Sequence, residues 1–202
     1  MVYYWHKQQI NAKGGTDMTA KDYRQAAWEK LSGKWGTAVI GYLIYGLIIG
    51  AAGATFIGGL ILAGPMMFGL AAFFLWFARR QTPQIETLFS GFSYCFVNSM
   101  LAGILTTVFT FLWSLLFVVP GIIKMYGYSM TMYVLADHPE MSAMDAIAES
   151  QRIMQGNKWR LFCLDLSFIG WFLLCGLTCG ILTLWIAPYQ ETARAEFYES
   201  IR

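Results

Sequence analysis

Four charged residues, Lys124, Asp165, Glu191 and Arg194, stand in or beside stretches otherwise apolar enough to lie in a bilayer. An ionised group at mid-bilayer costs at least about 2.5 kcal/mol on insertion scales, so such groups turn toward protein or water and find partners there. The chemistry open to them is binding: an ion, a headgroup or a peptide held in a polar cavity between helices. Lys124 and Glu191 follow Pro120 and Pro188 by four and three residues, which would place them at related depths and allow them to pair. Glu191 and Arg194 are neighbours at i, i+3 on any helix. The plainer reading, and the weightier on sequence alone, is that Asp165 and Lys124 snorkel from near the interfaces. The segment after Pro188 would then leave the membrane as an amphipathic tail helix.

Other chemistry is absent from the pattern. There is no G-x-S-x-G elbow, H-E-x-x-H or P-loop, and Asp137-His138-Pro139-Glu140 reads as a turn rather than a catalytic group, so no enzyme is expected. The cysteines Cys95, Cys163, Cys175 and Cys179 lie in apolar runs and read as small buried hydrophobes. His6 and His138 have no second ligand at helical spacing, so neither a metal nor a cofactor is expected. A net charge of +2 from scattered basic residues argues against nucleic acid as a partner.

The elements that must position the four charges follow from composition. Of 202 residues, 57% are hydrophobic and 13% charged, against roughly a quarter charged in soluble chains, which makes the bilayer the leading solvent. No charge occurs between Lys34 and Arg79, a run about two bilayer thicknesses long as helix and therefore a hairpin turning in the glycine-rich piece near residue 55. A second run from Glu86 breaks at Pro120-Gly121, and a third, between Asp165 and Glu191, turns near Gly176 to Gly180. The expected fold is all-α and polytopic: about six transmembrane helices as three hairpins, spanning residues 36–54, 58–78, 97–118, 121–136, 161–177 and 181–198. Residues 18–202 form one helical membrane domain, and residues 1–17 are either a disordered tail or an over-extended start.

A short interfacial amphipathic helix precedes each hairpin. The first starts at a Thr19/Asp22 capping box, the second at Thr82 with Pro83 in its first position, and the third at Ser142 with Asp145 three residues on. In the third, Met141, Met144, Ile147 and Ala148 form the apolar face. A glycine cap followed by an interfacial aromatic closes each, which marks Gly33 with Trp35, Gly91 with Tyr94, and Gly156 with Lys158 and Trp159 as interface anchors. Gly41, Gly46, Gly50 and Gly53 are read as a close-packing helix face. The recurrence points to a threefold repeat; chance similarity among glycine-rich membrane segments is the alternative. With six crossings, Lys21, Arg24, Lys30, Lys34, Arg79, Arg80, Arg152, Lys158 and Arg160 share one side, so both termini are expected to be cytoplasmic; with five, the charged tail lies outside.

The motifs KLSGKW, LFSGF, PGIIKMYGYSMTMYVLADHPEMSAMDAI, ESQRIMQGNKWRLFCLDLSFIGW, APY and FYES together resemble the bacterial multi-pass membrane-protein family catalogued as domain of unknown function 975. More weakly, they resemble membrane domains joined to some bacterial glycerophosphodiester phosphodiesterases. The resemblance implies a multi-pass membrane protein and no particular activity. The expectation is a non-enzymatic accessory protein of the cytoplasmic membrane whose partners are membrane lipids, another membrane protein or a second copy of itself. The alternative is a small transporter or channel subunit with an intramembrane polar cavity, and an enzyme acting on lipid ranks last.

Overall fold

A computed structural model describes residues 18–202 except Thr55 and Cys179, and leaves aside the side chains of Phe56, Ile57, Leu60 and Leu116. The expectations for residues 1–17, including His6, and for Cys179 lie outside the described residues.

Every regular element among the described residues is helical. The first group is α1 (Ala20–Leu31), α2 (Trp35–Gly53) and α3 (Phe56–Ala78). The capping box opens α1, with the Thr19 amide donating to the Asp22 carboxylate at 2.8 Å, and Gly33 ends the turn after it at φ +78°. The second group is a 3-10 helix (Ile85–Phe89), α4 (Ser90–Ser93), α5 (Phe96–Leu116), α6 (Val118–Tyr128) and α7 (Thr131–Asp137). The third is α8 (Ala143–Ile153), α9 (Lys158–Leu166), α10 (Ile169–Leu177) and α11 (Thr183–Ile201). Ser142 caps α8, accepting from the Asp145 amide at 3.2 Å.

Four stretches are long and apolar enough to cross a membrane: Trp35–Gly53, Ile61–Ala78, Phe96–Leu115 and Lys158–Leu177. The segments expected at 121–136 and 181–198 are not among them. The first is divided between α6 and α7, and the second is the single helix α11, which carries Glu191, Arg194, Glu196 and Glu199.

Helix α3 is the hub. Of its apolar window 67% is buried, against 17% for that of α2 and 11% for that of α5, so the outer helices turn most of their surface away from the protein. Phe73, Phe74 and Phe77 fill the centre with edge-on ring contacts at 5.4 and 5.5 Å, and α11 lies across α1, α2 and α3. Glycine permits the closest approaches: a Cβ at Gly69 would overlap the Leu88 carbonyl, one at Gly64 the Ser99 carbonyl, and one at Gly91 the Pro65 carbonyl. The outward surface carries Leu47, Phe111, Leu115, Leu173 and Leu177, an apolar belt that water would not favour.

Several local expectations change. Thr82 caps nothing: residues 81–84 are irregular and the 3-10 helix begins after Gln84, because Leu88 and Gly91 must meet the α3 backbone. Gly91 is accordingly no left-handed cap but a buried residue inside α4, whereas Gly33 and Gly156 both take φ +78°. On α8 the buried face is Ala143, Ala146, Ile147, Ser150 and Ile153, while Met144 and Ala148 are exposed; the Ser150 hydroxyl is satisfied by the Gly127 carbonyl at 2.8 Å. Of the four glycines read as a packing face, Gly41 is the one at which an added Cβ would meet a neighbour, the Phe73 ring. A Cβ added at Gly46, Gly50 or Gly53 would find nothing within 4 Å, because these three face outward.

Two substitutions separate these roles. Gly69→Ala should lower the melting temperature and folded yield of the purified protein. Gly46→Ala should leave both unchanged or slightly raised, since alanine is favoured over glycine in a helix by about 1 kcal/mol. Thermal unfolding in detergent measures both, and damage from Gly46→Ala instead would mean that the outer face of α2 is packed against something.

Candidate functional site

Helix α11 projects Gln190, Glu191 and Arg194 toward α9, α6 and α7. Asp165 on α9 meets Arg194 in a two-pronged pair, accepting from Nε and Nη2 at 3.0 Å each. The same carboxylate accepts from Gln190 Nε2 at 3.0 Å and from the Tyr126 hydroxyl at 3.2 Å. Glu191 accepts from the Tyr133 hydroxyl at 3.2 Å and lies 3.7 Å from Arg194 Nη1. Three of the four charges singled out in the sequence thus form one cluster. With all three ionised it carries two negative charges and one positive, and each carboxylate has a tyrosine hydroxyl donating to it.

Two spaces adjoin the cluster, and Arg194 lines both. The larger, about 560 Å³, lies between α5, α6, α7 and α9, with Asp165 and Arg194 at its polar end and Met67, Phe111, Met125 and Leu161 along its walls. Thr106, Thr110 and Ser114 add a column of hydroxyls at i, i+4 and i+8 along α5. The hydroxyl hydrogens of Thr106 and Ser114 are already donated to the Ala102 and Thr110 carbonyls at 2.7 and 2.8 Å, which leaves their oxygens as acceptors facing the cleft. The smaller space, about 130 Å³, is lined by Tyr45, Met67, Tyr133, Glu191 and Arg194.

Lys124 stands apart. Its ammonium donates to Gln151 on α8 at 3.3 Å and sits 4.9 Å from the Trp113 ring centre, so the Lys124–Glu191 pair drawn from the proline spacing does not form. Related spacing from two prolines did not give related surroundings, because α6 ends against α8 while α11 runs into the centre of the bundle. Among the anchors, Trp35 packs on Trp28 and Tyr189 at ring distances of 5.1 and 6.3 Å, Trp159 stacks on Phe162 at 5.1 Å, Lys158 lies along Gly127, and Tyr94 is exposed.

A second polar assembly was not foreseen from the residues alone. Arg79, just beyond α3, pairs with Asp137 at the end of α7 and with Glu199 on α11 at 2.8 Å. Arg202 joins the same two acids, reaching Asp137 at 2.8 Å and Glu199 at 2.9 Å, and the Tyr198 hydroxyl donates to Asp137 at 3.0 Å. Beside it, Lys30 pairs with Glu196 and donates to the Ala78 carbonyl. Asp137 is therefore more than a turn residue. Burial pushes Asp137 up, but hydrogen bonds from Arg79 and Arg202 outweigh it and hold the carboxyl below its ordinary value of 3.8.

Fold and site together define an all-helical protein with four membrane-length apolar helices around an internal charged cluster. Over residues 115–202, which include α6 to α11 and the whole cluster, the chain matches the family described as protein of unknown function (DUF975), the family its motifs resemble. No curated protein and no solved structure matches it.

The lowered Asp137 value sets the sign of a pH effect. Its stabilisation is complete above the unfolded value of 3.8 and is lost as pH falls through the lower folded value. Asp137→Asn should reduce the melting temperature at pH 7, and the gap from the parent should close as the pH is taken below 3.8. A gap that persists undiminished in acid would show that the side chain acts through packing rather than charge.

Proposed function

We propose that the protein is a multi-pass protein of the cytoplasmic membrane that holds the polar part of a lipid or other amphiphile in the cleft ending at Asp165 and Arg194, without chemical turnover. The observation that carries this reading is the cleft itself. The Asp165 and Arg194 charges line it together with a column of acceptor oxygens along α5 and with methionine and aromatic walls, and Phe111 and Met125 are exposed on the apolar flank of the bundle. A headgroup entering sideways from the bilayer would meet polar partners while its chain stays among apolar side chains.

The six-span arrangement belongs to the same proposal, and the charged assembly at the helix ends supports it. Residues 30, 79, 137, 199 and 202 lie in neighbouring ion pairs and residue 34 reaches the Arg80 carbonyl, so all occupy one face. Crossings between any two of them come in even numbers. Helices α2 and α3 make one pair; α5 must return through α6 and α7, and α9 with α10 must return through α11. Helix α11 fails as an apolar span because its charges point into the bundle, where intramembrane charges belong. The basic residues on that face make it cytoplasmic.

A second reading, a small transporter subunit, draws on one feature: Arg194 stands between the open cleft and the inner cavity, as a gate residue would.

Thr110→Trp tests the main reading, because it places bulk in the cleft from α5 and leaves the residues of the charged cluster unaltered. Native mass spectrometry of protein extracted from its membrane should find co-purified lipid on the parent and several-fold less on the variant, with equal melting temperatures. Equal lipid on both would remove the cleft from consideration. Independently, cysteines placed at residues 140 and 202 should both react with an impermeant reagent from the cytoplasmic side only; reaction of residue 202 from outside would overturn the six-span arrangement.

A further inference from the structure

A second cavity, of about 600 Å³, lies away from the charged cluster, between α3, the segment from Thr82 to Tyr94, and the end of α7. Helix α3 supplies one wall with Phe68, Ala72 and Trp76 at i, i+4 and i+8; the opposite wall carries the Thr82, Thr87, Ser90 and Ser93 hydroxyls, the Tyr94 ring and Glu86. Glu86 is the charged member of this lining, and among the described residues it has neither a hydrogen bond nor an ion pair. Arg79, at this end of α3, is directed elsewhere, to Asp137 and Glu199.

We propose that this cavity is a binding site for an organic ammonium group, with Glu86 as its counter-ion and the Trp76 and Tyr94 rings as its faces. The sign of the ligand follows from the lining. A carboxylate without a cation repels an anion and attracts an ammonium, and aromatic faces favour a cation through their quadrupole. Hydroxyl and amide oxygens around the rim accept N–H donors. The site lies one turn from the end of α3, at the level of the charged helix ends, with exposed Trp76, Ile85, Phe89 and Tyr94 around it. Tryptophan and tyrosine at that level are where headgroups reside. The ammonium is borne either by a zwitterionic lipid headgroup or by a free amine, and the site selects the charge they share.

The full-length protein in vesicles of equal phosphatidylethanolamine and phosphatidylglycerol decides the matter, with retained lipid read by native mass spectrometry and soluble ethanolamine titrated as a competitor. Glu86 is exposed and glutamine matches its shape, so Glu86→Gln keeps the fold, which an unchanged melting temperature verifies. The parent should retain phosphatidylethanolamine over phosphatidylglycerol by about five-fold, in line with one exposed ion pair plus a cation–π contact. Glu86→Gln and Trp76→Leu should each reduce that preference toward unity, while Thr110→Trp, in the other cleft, should leave it in place. Ethanolamine displacing the lipid at millimolar concentration supports the site with a free amine as its ligand, and failure to displace supports it with the lipid as its ligand. A preference unaltered by both Glu86→Gln and Trp76→Leu, or no preference in the parent, overturns the proposal. Loss of the preference in Thr110→Trp alone would assign it to the first cleft and overturn it as well.

Discussion

The structure depends on keeping the charges of α11 supplied with partners. Glu191, Arg194, Glu196 and Glu199 occupy one helix that lies among its neighbours rather than beside them, and each needs a counter-group that no adjacent residue provides in full. Arg194 receives Asp165 from α9, Glu191 receives the Tyr133 hydroxyl from α7, Glu196 receives Lys30 from α1, and Glu199 receives Arg79 from beyond α3. The three helical groups of the chain are thereby tied to one element. Removing one partner leaves a partly buried charge without its counter-group, so these contacts act more as conditions on the arrangement than as surplus stability.

That condition lets the rest of the molecule be simple. With polarity gathered around α11, helices α2 and α5 carry apolar surfaces outward and need only hold to the hub by close contact. Glycine supplies that contact where α3 meets the second group: Gly64 against Ser99, Gly69 against Leu88 and Gly91 against Pro65. Small residues that bring backbones together are the means of helix association where the surroundings are as apolar as the side chains. Even the irregular 3-10 segment follows, since it is shaped by what it must touch on α3 rather than by its own capping residues.

The cluster and its two spaces are products of the same gathering. Asp165, Glu191 and Arg194 satisfy one another, so the site is organised without any bound molecule, yet Arg194 still borders the open cleft and the inner cavity. In the reading we propose, this polar lining beside apolar walls holds an amphiphile. The acceptor oxygens of Thr106 and Ser114 add polarity along the cleft without leaving a hydroxyl hydrogen unpaired.

Much of this was legible in the residues because it depends on local chemistry. Charge-free runs and helix-start signals located α2, α3 and α5, the caps at Thr19 and Ser142, and the left-handed turns at Gly33 and Gly156, since rise per residue, capping and glycine's conformational freedom are properties of short segments. The cost of intramembrane charge also singled out Asp165, Glu191 and Arg194 as residues in want of partners. Which partners they would find was not legible. Pairing depends on the relative position of helices far apart in sequence, so proline spacing pairs Lys124 with Glu191 whereas it meets Gln151, three of the four glycines read as the packing face of α2 point outward while Gly41 packs on Phe73, and the Arg79–Asp137–Arg202 assembly does not show in the local pattern. The sequence by itself determined that these charges needed an interior; only the tertiary structure decided that α11 would be that interior's centre, because partner choice is a matter of distance in space.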